Sequence, residues 1–442
     1  MAQSYTDPLG RPVEGNEFRA ARERFPEHAF VVFHREELPR RVEAHGALVV
    51  DDLRGAAPLA LRSGELAFTY LPSDRGIELC EGCDAASTIV VLESEAFSDL
   101  VNEIHSVSGL AMASKLHFER GTLEDLHRWE PALRALYSGR PIWTPGEARC
   151  LVDERGRPLD LSRVFTLDDS DEEMRAFFDV AGFLHVRGVY DPEEIAALAA
   201  EVDRARDALE PGTGDCWWSV TESGQQVVTR MNYLDRISET IRRQCFEDRV
   251  QRLGRLVGPQ MRVCDDRLDG PMAFIKNSHV ERGLGDLQWH QDDGLGGHPV
   301  MCPMIQVGIQ LDRANAENGQ LWVLAGSHRY SKHPIAWGEE GDNPVVQIET
   351  EPGDCTVHFG DIYHTTPPPT GDHAGRRVLY FKFAEPKTFE MIPAGAHYND
   401  VLFRAGAGGR VATRAETWAE EDTQERFQNV RFEDADGVAA SE

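Results

Sequence analysis

Seven short runs of strand-forming residues follow one another between residues 271 and 385, with Gly, Pro and Asn in the segments that separate them. In the third run, Ile305, Val307, Ile309 and Leu311 occupy alternate positions, which is the pattern of a strand that buries one face. Many short strands with turn residues between them favour a sandwich, a jelly roll or a barrel. The runs are AFIKN, LQWHQD, MIQVGIQLD, LWVLAG, VVQIET, CTVHFG and RVLYFKFAE.

The residues before this strand-rich part mix helices and strands. ALVVDDL and LAFTYL predict short strands, and STIVVLESEAFSDLVNEIHSV predicts a strand that leads into an amphipathic helix. LEDLHRWEPALRALYSG predicts a helix that ends at Gly139. From Asp169 onward we predict a helix, the strand FLHVRGV, and a second helix that is capped at Asp191 with Pro192 in its first turn.

A chain of 442 residues exceeds the size of an ordinary compact domain, so more than one domain is expected. We predict an α+β protein in which residues 1–145 form a smaller α/β accessory domain and residues 146–168 form a linker. Residues 169–395 are expected to form a jelly-roll domain with flanking helices. The acidic extension 396–442 is expected to follow it, with a last stretch that lacks fixed structure.

The charge of the chain narrows the choice of partner. It has 46 basic and 75 acidic side chains and a formal net charge of −29, which repels polyanions, so nucleic acid and anionic membranes are not expected as partners. The chain has no run of the roughly 18 apolar residues that a membrane helix needs. The start, MAQSYTDPLGRPVEG, lacks the basic and apolar regions of a secretory signal. We therefore expect a cytoplasmic protein that acts on a small molecule, with its oligomeric state open.

The eight cysteines show no disulfide framework, so reduced thiols are expected. Cys80 and Cys83 have the CxxC spacing of a zinc or redox site. No second cysteine or histidine pair accompanies them, and such a site is therefore not favoured.

His290 and Asp292 lie two residues apart in the predicted strand LQWHQD. Side chains at positions i and i+2 of a strand point to the same side, so both can reach one ion while Gln291 points away. Two histidines and one carboxylate on one face of an octahedral ion leave open positions, which suits iron(II).

The third ligand has to come from another strand, and His364 is our choice. It follows the strand CTVHFG and is itself followed by Thr366 and Arg376. A guanidinium binds a carboxylate through two parallel hydrogen bonds, so Arg376 is the candidate clamp for the far carboxylate of a keto-diacid. A surface ion pair is the alternative role for Arg376. Rival histidines are His298, His328, His333, His358 and His373.

Residues 170–385 resemble the phytanoyl-CoA dioxygenase family of iron(II)/2-oxoglutarate oxygenases. The matching pieces, in the order of the family, are FFDVAGFLHVRGVYDPEEIAAL, FIKN, WHQDD, ENGQLWVLAGSHR, PGDCTVHFGDIYHTT and RRVLYFKF. Ala325 stands where the family usually has proline before Gly-Ser-His. The segment between His364 and the arginine is about one residue longer than usual, which leaves Arg377 as an alternative to Arg376.

The resemblance implies a double-stranded β-helix, a cupin-like jelly roll, with iron(II) held by His290, Asp292 and His364. It implies that Arg376 and Thr366 bind 2-oxoglutarate, with Gln291 and Lys276 near this cosubstrate. O₂ would be consumed and succinate and CO₂ released. Because related halogenases replace the carboxylate with a small residue, Asp292 favours hydroxylation of a C–H bond, with desaturation or ring chemistry as alternatives.

Residues 40–140 resemble more weakly a sterol-carrier-protein type domain, through the strand-to-helix entry, the strand SKLHFERG and the closing helix. This resemblance implies an apolar tunnel and a hydrophobic or lipid-like substrate. An accessory or dimerisation domain is the alternative. Trp217 and Trp218 are candidates for lining a substrate pocket, although aromatic pairs more often serve packing.

Two functions compete with the oxygenase. One is a metal-binding jelly roll without turnover that acts with the first domain as a lipid-binding or scaffold protein. The other is a cupin-like isomerase or lyase, which needs a metal but no 2-oxoglutarate.

Overall fold

The structure is a computed structural model of the whole chain. Among the residues it describes, no helix is long and apolar enough to cross a bilayer. The predicted extension 396–442 lies outside the described residues, as do residues 146–150 of the predicted linker. The described residues are 27–112, 115–145, 151–210, 216–283, 287–292, 304–371, 375–391 and 394, with the backbone of strands β1 (Tyr5–Thr6) and β2 (Pro12–Val13).

The first part of the chain forms a sheet with the strand order β5-β4-β3-β6-β7, in which β3 and β6 are parallel. Large aromatic side chains, among them Phe33, Phe97 and Trp129, fill the core between this sheet and its helices. The strands are β3 (Leu59–Ser63), β4 (Leu66–Ser73), β5 (Gly76–Glu81), β6 (Thr88–Leu92) and β7 (Leu116–Arg120). The helices are a short turn at Phe30–Val32, a π-helical turn at Phe33–Glu37, α1 (Leu38–His45), α2 (Ser94–Val101), α3 (Val107–Met112) and α4 (Leu123–Ser138).

Two local predictions in this part have opposite outcomes. Helix α4 ends at Gly139, as predicted, and this residue has a positive φ of 77°. The helix begins at a capping box formed by Thr122 and Asp125. The predicted strand ALVVDDL is wrong, because a 3₁₀ turn followed by a helical turn occupies it. Val49 and Leu53 are both buried and joined by a hydrogen bond of 2.9 Å, so these apolar residues follow helical spacing.

The second part begins with the predicted helix–strand–helix unit. Its elements are α5 (Asp171–Ala181), β8 (Phe183–Val186), α6 (Pro192–Asp207), β9 (Cys216–Thr221), β10 (Gln226–Met231), α7 (Glu239–Gln244), α8 (Asp248–Gly254) and β11 (Arg262–Val263). The strands that follow are β12 (Met272–Lys276), β13 (Val280–Gly283), β14 (Leu287–His290), β15 (Ile305–Gln310), β16 (Leu321–Leu324), β17 (Val345–Ile348), β18 (Cys355–Phe359), β19 (His364–Thr366) and β20 (Arg376–Ala384), and then helix α9 (Pro386–Met391).

These strands form two antiparallel sheets in which the chain alternates from one to the other. One sheet has the order β12-β20-β15-β18, extended by β8 on one edge and by β10, β9 and β13 on the other. The second has the order β14-β19-β16-β17. This connectivity is that of a double-stranded β-helix, so the predicted fold class is confirmed.

The larger sheet has two chemically different faces. Ile305, Val307 and Ile309 on β15 pack in one core with residues of helices α5 and α6; burying each such side chain stabilises the fold by about 1.5–3 kcal/mol. The alternate residues point between the two sheets, which we call the inner face. It is polar and aromatic, with Gln306 on β15 and Tyr380 on β20.

Charged contacts join the two parts of the chain. The Arg140 guanidinium bonds Glu103 at 2.9 Å in the first part and Asp361 at 2.7 Å in the turn before β19. Lys332 also bonds Asp361, at 3.2 Å. Phe165, near the end of the predicted linker, is fully buried in the core of the second part. The domain boundaries themselves stay a prediction.

Candidate metal centre

His290 and His364 are brought together by strand pairing. β14 ends at His290 and β19 begins at His364, and the two residues are partners in the antiparallel register. Their ring centroids lie 4.2 Å apart. Two residues distant in sequence therefore meet because the β-helix places their strands side by side.

Asp292 lies in the turn just after β14, not within the strand as the sequence pattern predicted. Its backbone N–H donates to the carbonyl of Gly360 at 2.7 Å, which fixes the turn beside the one that precedes β19. The carboxylate thus reaches the two histidines from a turn. Gln291 between them is buried, so the strand alternation that would point it away does not apply.

The ligand atoms of the three residues lie within 4.8 Å of one another. Asp292 Oδ1 lies 3.7 Å from His290 Nε2, and Asp292 Oδ2 lies 3.7 Å from His364 Nε2. Among the described residues, these three are the His, Cys, Asp or Glu side chains whose ligand atoms lie close enough together to hold a metal ion.

Hydrogen bonds orient both imidazoles. Nδ1 of His290 lies 2.7 Å from the carbonyl of Gln288, and Nδ1 of His364 lies 3.1 Å from that of Ile362. Each Nδ1–H donates to a carbonyl, so each Nε2 carries a lone pair toward the carboxylate. Burial, with a contribution from the neighbouring His364, lowers the pKa of His290 to about 4, so its imidazole is neutral and able to bind a cation.

Gln306 supports the carboxylate from the larger sheet. Its side-chain amide donates to Oδ2 of Asp292. Two imidazoles and one oriented carboxylate on one side of a shared point are the donor set that suits iron(II) with open positions. The residues present fit the ion that the family implies.

Three of the rival histidines, His328, His333 and His358, lie among the described residues, and none of them belongs to the group of three ligand side chains. His328 stacks on Phe359 at 4.8 Å and lies 3.1 Å from the carbonyl of Asp179, and His333 bonds Asp52 at 2.6 Å. His358 lies beside the centre, with its ring centroid 4.7 Å from that of His364. His298 and His373 lie outside the described residues.

Arg376 and Arg377 point to opposite sides of β20. The Arg377 guanidinium is engaged by Asp312 at 2.8 Å and Asp203 at 2.6 Å. Arg376 is buried on the inner face and donates to the carbonyl of Gly319 at 2.7 and 3.0 Å. Burial lowers the pKa of Arg376, so a carboxylate would stabilise its charge.

Lys276 and Thr366 lie near Arg376. Lys276 is the register partner of Arg376, and its ammonium donates to the carbonyl of Thr366 at 2.7 Å. Gly319 has a φ of +69°, and a Cβ there would lie 2.4 Å from the carbonyl of Pro367; only glycine therefore fits beside this group. Contact of Lys276, Thr366 and Gln291 with a cosubstrate stays a prediction.

Sequence reasoning missed two inner-face residues beside the centre, Gln306 and Tyr380, and considered His358 only as a rival metal ligand. The alternation of RVLYFKF could have shown that Tyr380 shares a face with Arg376. Trp217 also faces inward, with Arg230 4.4 Å above its ring, whereas Trp218 belongs to the apolar core.

Cys80 and Cys83 are free thiols, and the Cys83 sulfur accepts a hydrogen bond from Arg62 at 3.1 Å. The other described cysteines, Cys216, Cys245, Cys264 and Cys355, are buried thiols that form no disulfide.

Residues 178–378 match the family described as phytanoyl-CoA dioxygenase (PhyH), and the match includes the three centre residues and Arg376. This segment is similar to the phytanoyl-CoA dioxygenase family over the length of that match. The family domain thus contains the complete centre, and the resemblance seen in the sequence is confirmed.

Ectoine dioxygenases of Bordetella parapertussis and Bordetella bronchiseptica are each 28% identical to the chain over 149 residues. The similarity covers 34% of the chain and 46% of each relative, so the chain spans about half the length of these curated relatives.

Solved structures with similarity to the chain include AviO1 of Streptomyces viridochromogenes, at 22% identity and a TM-score of 0.40, covering 49% of this chain and 96% of that one. The epimerase SnoN, in complex with Fe3+, alpha ketoglutarate and nogalamycin RO, is 18% identical with a TM-score of 0.40, covering 55% and 91%. EctD from S. alaskensis with 2-oxoglutarate and 5-hydroxyectoine is 16% identical with a TM-score of 0.41, covering 54% and 84%.

Proposed function

We propose that the protein is an iron(II)- and 2-oxoglutarate-dependent dioxygenase that hydroxylates a C–H bond of a small organic molecule and releases succinate and CO₂. The observation that carries this proposal is the convergence of two imidazole Nε2 atoms on the Asp292 carboxylate. The match of residues 178–378 to the phytanoyl-CoA dioxygenase family supports it.

His290, Asp292 and His364 would hold iron(II) and leave positions open to 2-oxoglutarate and O₂. The bound metal would supply the oxidative chemistry, and the protein would position the reactants and exclude water. Asp292 in place of a small residue supports hydroxylation, because the carboxylate fills the position that a halide would need.

Arg376 would clamp the far carboxylate of 2-oxoglutarate. The register places Arg376 beside Lys276 at one end of β20, while Lys382 at the other end lies beside Gln306, which contacts Asp292. A diacid that reached from the metal along β20 toward Arg376 would lie between the two sheets. Arg377 is less suited, because its guanidinium points to the other side and already bonds two aspartates.

The expectation of a hydrophobic substrate stays a prediction that rests on the first part of the chain. A cavity of about 670 Å³ in the first part of the chain is lined by charged as well as apolar residues, including Glu93, Glu95 and Lys115. The polar inner face near the metal centre favours a substrate that carries hydrogen-bonding groups. Ectoine dioxygenases are named for a small molecule, and small polar molecules are the substrate class that we prefer.

The experiment is a turnover assay with purified protein, iron(II), 2-oxoglutarate and O₂ in the presence of panels of small polar and lipid-like molecules. We expect succinate to form in a manner that requires both iron(II) and O₂, and Asp292→Ala to abolish it. Asp153→Ala, in an exposed turn, is the matched control and should behave as wild type. Conversion of a panel molecule without succinate would favour the isomerase or lyase, and binding of metal without any turnover would favour the binding protein.

A further inference from the structure

Both ring nitrogens of His358, on β18, are buried polar atoms that the packing of the fold does not require. Its surface is 2% exposed, and among the residues that the structure describes neither ring nitrogen has a hydrogen-bond partner. Buried polar groups are almost always hydrogen-bonded, and those left unsatisfied destabilise the fold. A buried imidazole without partners therefore indicates a partner that binds there.

The position of His358 identifies where that partner binds. Its ring centroid lies 4.7 Å from that of His364 and 6.1 Å from that of Tyr380, on the inner face. Its neighbour across the β15–β18 pair is Gln306, whose amide nitrogen bonds Asp292 and whose Oε1 also lacks a partner. Three unsatisfied polar atoms from two adjacent strands thus face the space beside the metal centre.

A packing role would not need the nitrogens. The neighbours of His358 are aromatic rings, and a phenylalanine would make similar ring contacts without unsatisfied atoms. His328 provides the comparison, since it is stacked on Phe359 at 4.8 Å and, although its Nδ1 lacks a partner among the described residues, its Nε2 lies 3.1 Å from a carbonyl. A neutral imidazole offers one N–H and one lone pair.

We infer that His358 donates a hydrogen bond to an oxygen atom of the molecule that occupies the open side of the centre formed by His290, Asp292 and His364. This inference rests on the proposed function. Two molecules could present that oxygen, the keto-acid end of 2-oxoglutarate and a diatomic gas. His358 then acts as a binding residue that is not itself a metal ligand.

The test compares His358→Phe with wild type and with the matched control His328→Phe, under anaerobic conditions with iron(II). The first readout is the dissociation constant of 2-oxoglutarate, which is measured through the visible charge-transfer band. The second readout is the binding of nitric oxide, a probe for the diatomic gas, which is measured by electron paramagnetic resonance. The third is the iron content, and the fourth is the thermal unfolding midpoint.

We expect His358→Phe to retain iron and an unfolding midpoint at least as high as wild type. The affinity for 2-oxoglutarate should fall about 10- to 100-fold, and His358→Gln, which restores an N–H donor, should recover part of it. A change seen with nitric oxide alone would assign the gas as the acceptor and still support the inference.

Unchanged binding of both probes would overturn the inference, as would loss of iron, because His358 would then be a ligand. A wild-type protein that gave no band would instead contradict the proposed function, so the two failures are distinguishable. His328→Phe should leave both probes unaffected.

Discussion

His290 and His364 are register partners on adjacent antiparallel strands, with ring centroids 4.2 Å apart. Their Nδ1 atoms both bond carbonyl groups of residues two positions earlier in the chain. The same type of hydrogen bond therefore orients both imidazoles so that their Nε2 atoms face Asp292. Backbone carbonyl groups thus orient both imidazoles of the centre.

Replacement of Arg376 by lysine tests the clamp. A lysine cannot reproduce the planar fork that binds a carboxylate through two bonds, so we expect Arg376→Lys to raise the 2-oxoglutarate KM about 10- to 100-fold. Calorimetric titration of the iron(II) protein with 2-oxoglutarate checks the same change as an affinity.

Arg377→Lys is the matched control for that change. It would weaken the contacts with Asp312 and Asp203 and lower the free energy of unfolding by about 1–2 kcal/mol, with cosubstrate affinity unchanged. The reverse pattern for the two variants would move the clamp to Arg377.

Gly308 tests the packing of Tyr380 on the inner face. A Cβ at Gly308 would lie 2.5 Å from the Tyr380 ring, so Gly308→Ala should lower the free energy of unfolding by about 1–3 kcal/mol and disturb the centre. Urea unfolding measures the loss. Gly375→Ala, whose Cβ would meet nothing closer than 3.5 Å, is the control. If Tyr380→Leu does not offset the loss in the double variant, the steric explanation fails.

Asp361 tests the link between the two parts of the chain. Its buried carboxylate bonds Lys332 and Arg140, and burial lowers the pKa of Lys332 to about 8. Asp361→Asn would leave the buried Lys332 ammonium without its carboxylate partner, whereas Arg140 would keep Glu103, so we expect a loss of about 3–5 kcal/mol in the free energy of unfolding. Asp51→Asn, in an exposed pair with Arg54, should cost no more than about 0.5 kcal/mol. Equal losses for the two variants would contradict the role of this network.

Asp265 gives a prediction about pH. Burial, with a contribution from Asp266, raises the pKa of Asp265 to about 6. Because the folded protein binds this proton more tightly than the unfolded chain, the stabilising effect is complete below the ordinary aspartate pKa and is lost as pH rises through about 6. Asp265→Asn should therefore stabilise the protein by about 2–3 kcal/mol at about pH 8.

Urea unfolding of wild type and Asp265→Asn at about pH 5 and about pH 8 checks this prediction. The difference between the two proteins should shrink at the lower pH. An equal difference at both values would show that the charge of Asp265 is not the cause.

Sequence reasoning succeeded where a local pattern decides the structure. The alternation of Ile305, Val307 and Ile309 is local, and so is the end of helix α4 at Gly139; both predictions are confirmed. The downstream residues Thr366 and Arg376, together with the order of the family motifs, led to His364 among several histidines. The structure brings His364 to His290 and Asp292, while its role as an iron ligand stays a prediction.

Other features depend on contacts between distant segments. The unsatisfied nitrogens of His358 become visible only when β18 is paired with β15 and the rings of His364 and Tyr380 are in place. The Asp361 network needs Arg140 from the first part of the chain. Asp292 lies in a turn because β14 ends at His290, and strand alternation cannot predict where a strand ends.

The most direct measurement is the visible spectrum of the anaerobic protein with iron(II) and 2-oxoglutarate. Wild type and the control His328→Ala should both develop a weak metal-to-ligand charge-transfer band, and His364→Ala should not. A blank wild-type spectrum, or an unchanged band in His364→Ala, would contradict the assignment of His290, Asp292 and His364 as the iron centre.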